Sequence, residues 1–431
     1  MHARRHPCPL LVALLLTGVT LGWSGAIQAE ETKSASSRAD IHVGIDAGDL
    51  RGKDQRALQA AVDYVAGLGG GTVHIGPGRY AMRNALTLRD NVHIVGVPGK
   101  TILAACEGLS TPLTADGDCN QREITVADSS NLRVGDGVAI VSKRAAHGFG
   151  VTTATLTAKL DSNTFRISRP LGDDYMVSEQ AAVRLAFPVV GGWQVKHALI
   201  EGLTIDGNRD KAQPLDGCRG AGIYLFECED VTIRNCTVSK YNGDGISFQV
   251  SQRVTVEDCR LESNAGHGLH PGSGSQHPVV RRNCAVSNGR DGLYLCWRVR
   301  HGQFEDNTLE GNQQSGLSIG HKDSDNRFRG NRILSNSSCG ITFRNETAAM
   351  GAHRNHFETN VILDNGGKQP AFAVVIRGEH HDLVFRDNVI GYSKPPSRAS
   401  IGIQASESAH GLKADKNDFR NVATPVTLGK K

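Results

Sequence analysis

The chain has 431 residues, of which 50 are glycine and only 14 are proline. Excess glycine without excess proline excludes a collagen-like or low-complexity chain, and 39% hydrophobic residues suffice for a large core. A net charge of +4 without a basic block argues against a nucleic-acid partner. The glycine excess instead predicts regularly spaced tight turns.

The first 29 residues have the pattern of a secretory signal peptide. Arg4 and Arg5 precede an apolar run over residues 10–21, and small residues lead to a cleavage position after Ala29. The run is too short for a membrane span. We therefore expect a secreted or periplasmic protein with no membrane contact after signal removal. Residues 30–44 are interpreted as an N-terminal linker.

A short amphipathic helix is predicted next, beginning at the capping residue Asp54. Its apolar stripe is formed by Leu58, Ala61, Val62 and Val65. Glycine-rich turns and a short alternating strand follow. We assign residues 45–106 to the first part of a repeat domain, with this helix at its beginning.

Residues 107–190 lack the repeat described below and contain short strand patterns separated by turns. They are predicted to form a β-rich insertion on the wall of the repeat domain. Cys106 and Cys119 lie on either side of a turn-rich segment, and they are the best candidates for a disulfide.

From residue 191 onward, glycine followed by an aliphatic residue recurs every 23 or 24 residues, and each pair opens an alternating segment. The positions are Gly222, Gly245, Gly268, Gly292, Gly316 and Gly340. A repeat this short fits three strands and three turns per coil. It predicts a parallel β-helix over residues 191–431.

A second column supports the same register, two residues before an aliphatic position in each coil. It consists of Cys236, Cys259, Cys284, Asn307, Asn331, Asn360, Asn388 and Asn417. Stacked side chains of one type can pack as small buried thiols or share hydrogen bonds between coils. We therefore predict a buried ladder that changes from cysteine to asparagine.

With these repeats and the capping helix, residues 45–419 resemble the pectate-lyase-like superfamily of right-handed parallel β-helices. The resemblance implies an all-β chain: a single right-handed parallel β-helix of 23–24-residue coils, with an N-terminal capping α-helix and a β-rich insertion. It also implies an enzyme that acts on polysaccharides.

Polar and aromatic residues gather on one predicted wall of the coils, since residues at one place in successive coils lie roughly 4.8 Å apart. The predicted catalytic residues are His270, Tyr294, Lys322, His321 and Arg298. The predicted substrate-binding residues are Trp297, Arg300, Arg344, Asp244, His267, Asp291 and Glu346. A basic wall of this kind suits an acidic polysaccharide.

Such a wall has the groups that β-elimination at a uronic acid requires: a neutraliser of the carboxylate, a base for the C5 proton and an acid for O4. Arg298, Arg344 or Lys322 could neutralise the carboxylate. His270, Lys322 or His321 could be the base, and Tyr294 the acid or both. We therefore predict an exported polysaccharide lyase.

Three other functions stay open. Residues 242–245 and 266–268 resemble two motifs of the polygalacturonase family of glycoside hydrolases, but they stand in consecutive coils without the family's pair of adjacent aspartates. A uronan C5-epimerase would need the same neutraliser of the carboxylate and the same base for the C5 proton as the lyase. A non-enzymatic glycan-binding β-helix would present rows of aromatic residues, whereas only 5% of the residues are aromatic.

The sequence leaves the metal open. Asp244, Asp291, Asp323 and Glu346 could hold a calcium ion that neutralises the uronate. The arginine and lysine residues of the same wall favour a neutraliser without metal.

Overall fold

The computed structural model describes residues 39–367, 371–396 and 399–429, so the predicted signal peptide lies outside the described residues. The chain winds into coils, each of which adds one strand to each of three parallel sheets. In the third sheet, for example, Leu293 pairs with Leu269 of the preceding coil and Leu317 of the next. The predicted β-helix is confirmed.

The sheets are described by their strands in chain order. The first sheet contains Ala39–Gly44, Leu50–Arg51, Gly71–Ile75, Val92–Val95, Leu199–Glu201, Thr232–Arg234, Thr255–Glu257, Val279–Arg281, Gln303–Glu305, Arg327–Arg329, His356–Glu358, Val384–Arg386 and Lys413–Asp415. The second sheet contains Gly78–Met82, Thr101–Ala105, Thr204–Asp206, Thr237–Ser239, Arg260–Glu262, Cys284–Val286, Thr308–Glu310, Arg332–Leu334, Val361–Leu363, Val389–Gly391 and Asp418–Arg420. The third sheet contains Leu86–Thr87, Val190–Trp193, Ala221–Phe226, Asp244–Gln249, Leu269–Gly272, Leu293–Tyr294, Leu317–Ile319, Ile341–Glu346, Ala371–Gly378, Ser400–Ser406 and Thr424–Gly429.

The capping helix spans Gln55–Gly67, and the Asp54 side chain accepts a hydrogen bond from the backbone N–H of Arg56. The predicted apolar stripe is buried against the core. No helix within the described residues is long and apolar enough to cross a membrane. The predicted linker needs correction, because Ala39–Gly44 is already a strand, paired with Gly71–Ile75.

The buried ladder is present, with one correction. Cys236 and Cys259 are buried in it, but the next rung is Asn283, whose Oδ1 accepts the backbone N–H of Cys259. Cys284 is shifted by one residue, and it pairs with Arg260 on the outer side of the strand. Alternation places Ala285 in the core instead, where its small side chain packs beside Leu261 and Leu309.

From Asn283 onward, each rung accepts hydrogen bonds at Oδ1 and donates from Nδ2 to the next asparagine. A second ladder, absent from our sequence prediction, runs through Asn264, Asn288, Asn312, Asn336 and Asn365. In the coils that they cross, the two ladders satisfy buried backbone groups at two successive turns.

The recurring glycines mark a close approach of backbones. A Cβ atom at Gly268 would lie 2.7 Å from the carbonyl oxygen of Gly292 and 2.8 Å from the Cβ of Ala285. The same carbonyl contact recurs at Gly292, with Gly316. Any larger side chain would therefore separate neighbouring coils.

The β-rich insertion is confirmed as an antiparallel sheet of its own, with a separate apolar core. Its strands are Ser110–Pro112, Glu123–Thr125, Gly137–Val141, Thr152–Lys159, Thr164–Ile167 and Ala182–Leu185. The sequence left open whether Cys106 and Cys119 are bridged, and in the structure both cysteines are free. Cys106 follows a strand of the second sheet, whereas the backbone N–H of Cys119 is bound by Asp174 of the insertion.

Candidate active site

The first part of the outward column of the third sheet, from Tyr224 to His270, is covered rather than exposed. The segment 207–220, which we call the roof loop, lies over it: the carbonyl oxygen of Gly217 accepts a hydrogen bond from Ser247 Oγ, and that of Cys218 accepts one from Tyr224 Oη. Ser247 and His270 are consequently at most 4% exposed. A recess that holds polar side chains under a covering loop is a candidate binding site.

The insertion supports the roof loop. Arg219 donates a hydrogen bond of 2.6 Å to the carbonyl oxygen of Phe149 and places its guanidinium 4.8 Å from the centre of that ring. Gly148 of the same 3₁₀ turn, Gly148–Gly150, lines the space below. The insertion therefore overhangs the wall.

Between the roof and the third sheet lies a cavity of about 640 Å³. Several predicted residues line it together: Asp244, His267, His270, Asp291, Tyr294 and Arg344. The other lining residues with reactive or charged side chains are Asp216, Cys218, Arg290, Cys296 and Arg377.

Asp244 and His270 form a buried pair in this cavity. Oδ2 of Asp244 lies 2.6 Å from Nδ1 of His270, and Oδ1 accepts the backbone N–H of His267 at 2.7 Å. Burial opposes ionisation of Asp244, but the charge of His267 and the hydrogen bond to His270 lower its pKa. Burial also opposes protonation of His270, yet Asp244 and the nearby sulfur of Cys296 raise its pKa to about 10.

The other ring nitrogen of His270 does not face solvent. Nε2 is buried and makes no hydrogen bond, and it shares its surroundings with the sulfur atoms of Cys218 and Cys296. The structure therefore does not favour His270 as the base, because neither nitrogen is free to reach a substrate. Hydrogen bonding with Cys218, followed by the effects of His270 and Arg344, lowers the pKa of Cys296 against the opposing effect of burial.

A second histidine–aspartate pair lies one coil along. Nδ1 of His267 is 3.3 Å from a carboxylate oxygen of Asp291, whose other oxygen accepts the backbone N–H of Ser315. The His267 ring stacks on Tyr294, with 4.3 Å between ring centres. Burial raises the pKa of Tyr294, so its phenol carries a proton at neutral pH.

Arg344 is fixed against the same tyrosine. Its guanidinium lies 4.7 Å from the centre of the Tyr294 ring and donates hydrogen bonds to Ser318 Oγ and the carbonyl oxygen of Leu295. It also contacts Asp323, which is buried beneath the wall, at 3.2 Å. Burial raises the pKa of Asp323 to about 7. Asp323 is therefore a support for Arg344 rather than part of the cavity lining.

Arg290 and Arg377 place two further guanidinium groups at the cavity. Both are exposed at the cavity, and no carboxylate of the described residues lies within ion-pair distance of either. Some arginines of the coils pair with acids of the neighbouring coil, as Arg253 does with Asp230, whereas others, such as Arg327, stand on the first sheet outside the cavity. Two unpaired cations at a cavity are suited to an anionic ligand.

The remaining predicted residues form a separate cluster on the turns that follow the third-sheet strands. His321 Nδ1 lies 2.7 Å from Glu346 Oε1, and its ring stacks on Trp297 at 5.0 Å. Trp297 is 43% exposed. Arg298, Arg300 and Lys322 belong to the same turns and, like this cluster, do not line the cavity. From the sequence we expected one continuous catalytic wall. The structure instead divides the predicted residues into two groups, one lining the cavity and one on the turns around His321.

The four carboxylates considered for calcium are engaged separately. Asp244 is bound to His270, Asp291 to Ser315, Asp323 to Arg344 and Glu346 to His321. Within the described part of the chain, the groups suited to a metal are instead Cys218, His270 and Cys296, and the surface group Asp40, His42 and His74.

Our sequence prediction missed Cys218, Arg290, Cys296 and Arg377. Cys296 had a signal, because it follows Tyr294 by two residues and so points to the same side of the strand. Arg290 also had a signal, because it stands directly before Asp291, which the sequence assigns to the wall. Cys218 had no such sequence signal, because the roof loop that contains it lies outside the repeat.

These features define a right-handed parallel β-helix with a roofed cavity, lined by charged residues of both signs, on its third sheet. A family model described as right handed beta helix region matches residues 190–349 and 279–419, together more than half of the chain. The chain belongs to this family.

Curated relatives share part of this sequence. Mannuronan C5-epimerase AlgE3 of Azotobacter vinelandii is 22% identical over 332 residues, 74% of this chain and 13% of that protein. A capsule K1-specific depolymerase of Klebsiella phage K64-1 is 23% identical over 250 residues, 52% of this chain and 27% of that protein. The chain thus spans only about a quarter or less of the length of these relatives.

Solved structures show the same fold. The A-module of mannuronan C-5 epimerase AlgE4 from Azotobacter vinelandii matches with a TM-score of 0.55 and 17% identity, over 90% of this chain and 98% of that one. A glycoside hydrolase matches with a TM-score of 0.53 and 12% identity, over 88% and 96% of the two chains. The adhesin PfbA of Streptococcus pneumoniae matches with 0.50 and 14%, over 90% and 91%.

Proposed function

We propose that the cavity binds a uronosyl residue of an acidic polysaccharide and removes its C5 proton, with β-elimination of the oxygen at C4 as the outcome. The observation that carries this proposal is the pair of unpaired arginines, Arg290 and Arg377, beside a cavity that also holds His267 and Tyr294. The arginines suit the uronate carboxylate, and the other two residues suit proton transfer. Secretion would bring the enzyme to such a polymer.

His267 is our choice for the base. In the structure, Nδ1 of His267 accepts the backbone N–H of Asp291 at 3.2 Å and lies 3.3 Å from the Asp291 carboxylate. The base is the other tautomer, in which Nδ1 carries the proton and turns it to the carboxylate, so that Nε2 has the lone pair that accepts the C5 proton. The electron pair of the C5–H bond then forms the C4–C5 double bond as the C4–O4 bond breaks. Tyr294 gives its proton to the leaving O4. Arg344, held beside Tyr294, adds positive charge where negative charge develops on the substrate.

Hydrolysis is less well supported, because it requires two carboxyl groups that are free to act on the glycosidic bond and on water. In the cavity, Asp244 is bound by His270 and the backbone N–H of His267, and Asp291 by the backbone N–H of Ser315. Neither carboxylate has the freedom that a general acid needs.

C5 epimerisation is the second candidate, and the similarity to mannuronan C5-epimerases in both sequence and fold favours it. It would begin with the same proton abstraction. A proton would then return to C5 from the opposite face, and the C4–O4 bond would stay intact.

The test is to incubate the protein with polymannuronate, polyguluronate, polygalacturonate and glucuronan in deuterated water. Ultraviolet absorbance of a C4–C5 double bond, together with shorter chains, is expected for a lyase. Deuterium at C5 with inverted stereochemistry and intact chains would instead establish the epimerase. New reducing ends without unsaturation would contradict both and indicate hydrolysis. Binding of a uronan without any chemical change would contradict an enzymatic function and indicate a glycan-binding β-helix.

A further inference from the structure

We propose that Cys218, His270 and Cys296 form a binding site for a divalent transition-metal ion that prefers sulfur ligands, with zinc as the best match. The two sulfur atoms and a ring nitrogen lie within 4.8 Å of one another. The proposal goes beyond the proposed function, since the ion would be bound whether or not a uronan is the substrate.

The orientation of His270 is the main support. Its Nδ1 is held by Asp244 at 2.6 Å, while Nε2 is buried and lacks a hydrogen-bond partner. Histidines that bind metal ions through one nitrogen typically donate the other N–H to a carboxylate, which fixes the tautomer. Asp244 thus holds the ring so that Nε2 faces the two sulfur atoms, where a bound ion would take the place of the Nε2 proton. A buried nitrogen without a partner is costly unless it has a ligand.

The backbone around the three side chains is held from several directions. The backbone N–H of Cys296 donates to the carbonyl oxygen of Pro271, next to His270. On the roof loop, the backbone N–H of Cys218 donates to Asp216 at 2.9 Å. A Cβ at Gly217 would lie 1.8 Å from Oδ2 of Asp244, so only glycine brings the loop this close to the pair.

The donor set selects the class of ion. Two thiolates and an imidazole suit zinc, whereas calcium and magnesium prefer oxygen ligands. Tetrahedral zinc with Zn–S bonds of about 2.3 Å separates its ligand atoms by roughly 3.5–3.8 Å. The cluster therefore needs only small side-chain adjustments to close on an ion. Because all three residues line the cavity, the fourth position would open into it, as in catalytic zinc sites.

The test uses the full-length protein, reduced and freed of metal, and titrates it with Co²⁺ and then Zn²⁺. We expect one equivalent of Co²⁺ to produce thiolate-to-cobalt charge-transfer absorbance, which Zn²⁺ displaces. Cys218→Ala and Cys296→Ala should each abolish the absorbance, while the exposed Cys119→Ala should leave it unchanged. Asp244→Asn should weaken metal binding by about 10- to 100-fold.

Circular dichroism of each variant reports whether it folds, and Cys218→Ala is the most tolerant because that cysteine is half-buried on a loop. A wild-type protein that gives no thiolate–cobalt absorbance would overturn the proposal. So would a Cys218–Cys296 disulfide that resists mild reduction, seen as a mass lower by two hydrogens and blocked thiols. Neither result depends on activity towards polysaccharides, so the proposed function is tested separately.

Discussion

Oδ2 of Asp244 and Nδ1 of His270 lie 2.6 Å apart across two neighbouring coils, with both side chains at most 6% exposed. Asp244 opens its strand, while His270 is the second residue of the next one. The contact therefore ties the two coils together on their outer face, where an ordinary β-helix presents its residues to water. The Asp244 carboxylate also fixes the orientation of the His270 ring.

Asp244→Ala should lower the free energy of unfolding by about 3–5 kcal/mol, because it leaves a buried imidazolium without its partner. The backbone N–H of His267 would lose its acceptor as well. Urea unfolding followed by circular dichroism measures this change. The exposed Asp210→Ala serves as the control. If both variants unfolded at the wild-type urea concentration, the pair would have no structural role.

Tyr294→Phe should reduce kcat on the responsive uronan by about 100- to 10,000-fold, the usual range for loss of a general acid. Substrate affinity should change little, because the ring and its stacking on His267 remain. Initial rates from product formation measure kcat. Tyr64→Phe, on the exposed face of the capping helix, is the matched control. Normal turnover by Tyr294→Phe would remove Tyr294 from the mechanism.

The double variant Arg290→Gln with Arg377→Gln should raise KM at least about tenfold with a smaller effect on kcat, since each charge-assisted contact contributes roughly 1.5–3 kcal/mol. The dependence of KM on salt should also weaken. Steady-state kinetics at two salt concentrations provide both values. Arg327→Gln, on the first sheet, is the control. An unchanged KM would place the carboxylate-binding site elsewhere.

Asp323 should make the folded state less stable as pH rises from about 4 to about 7. Its pKa is about 7 in the folded protein and about 3.9 in an unfolded chain. Between these values the folded state keeps a proton that the unfolded chain has lost, so the free energy of unfolding falls by up to about 4 kcal/mol.

Asp323→Asn should remove this slope, which unfolding at successive pH values measures. The groups that face the carboxyl are Arg344 and the backbone N–H groups of Val299 and Gly320. Identical pH profiles for wild type and variant would show that Asp323 stays ionised throughout.

The sequence predicted the architecture because period-2 alternation and glycine spacing are local signals that every coil repeats. The apolar stripe of the helix from Gln55 to Gly67 was equally local. The rung at Asn283 was misassigned because a cysteine stood beside it, and only the stacked backbone fixes which of the two faces inward.

The site was less predictable, because it depends on segments outside the repeat. His270 and Tyr294 were found from their column, but the roof loop that covers His270 cannot be placed from spacing. Without that loop, neither the orphaned nitrogen of His270 nor its neighbour Cys218 could be inferred. The turn residues His321 and Lys322 were grouped with the cavity because both follow the same strand, but they lie beyond it.

The two asparagine ladders also determine where this chain can change in length. From Leu199 onward, every strand of the first sheet is followed by two residues and then a strand of the second sheet. Longer segments enter on either side of third-sheet strands: the insertion, the roof loop and the turn containing Ala348–Met350. An extra residue at a rung would leave buried amides unpaired, which selection should remove. Divergence among β-helices built in this way should therefore accumulate around the cavity, so that new substrate preferences can arise without a change in the coil.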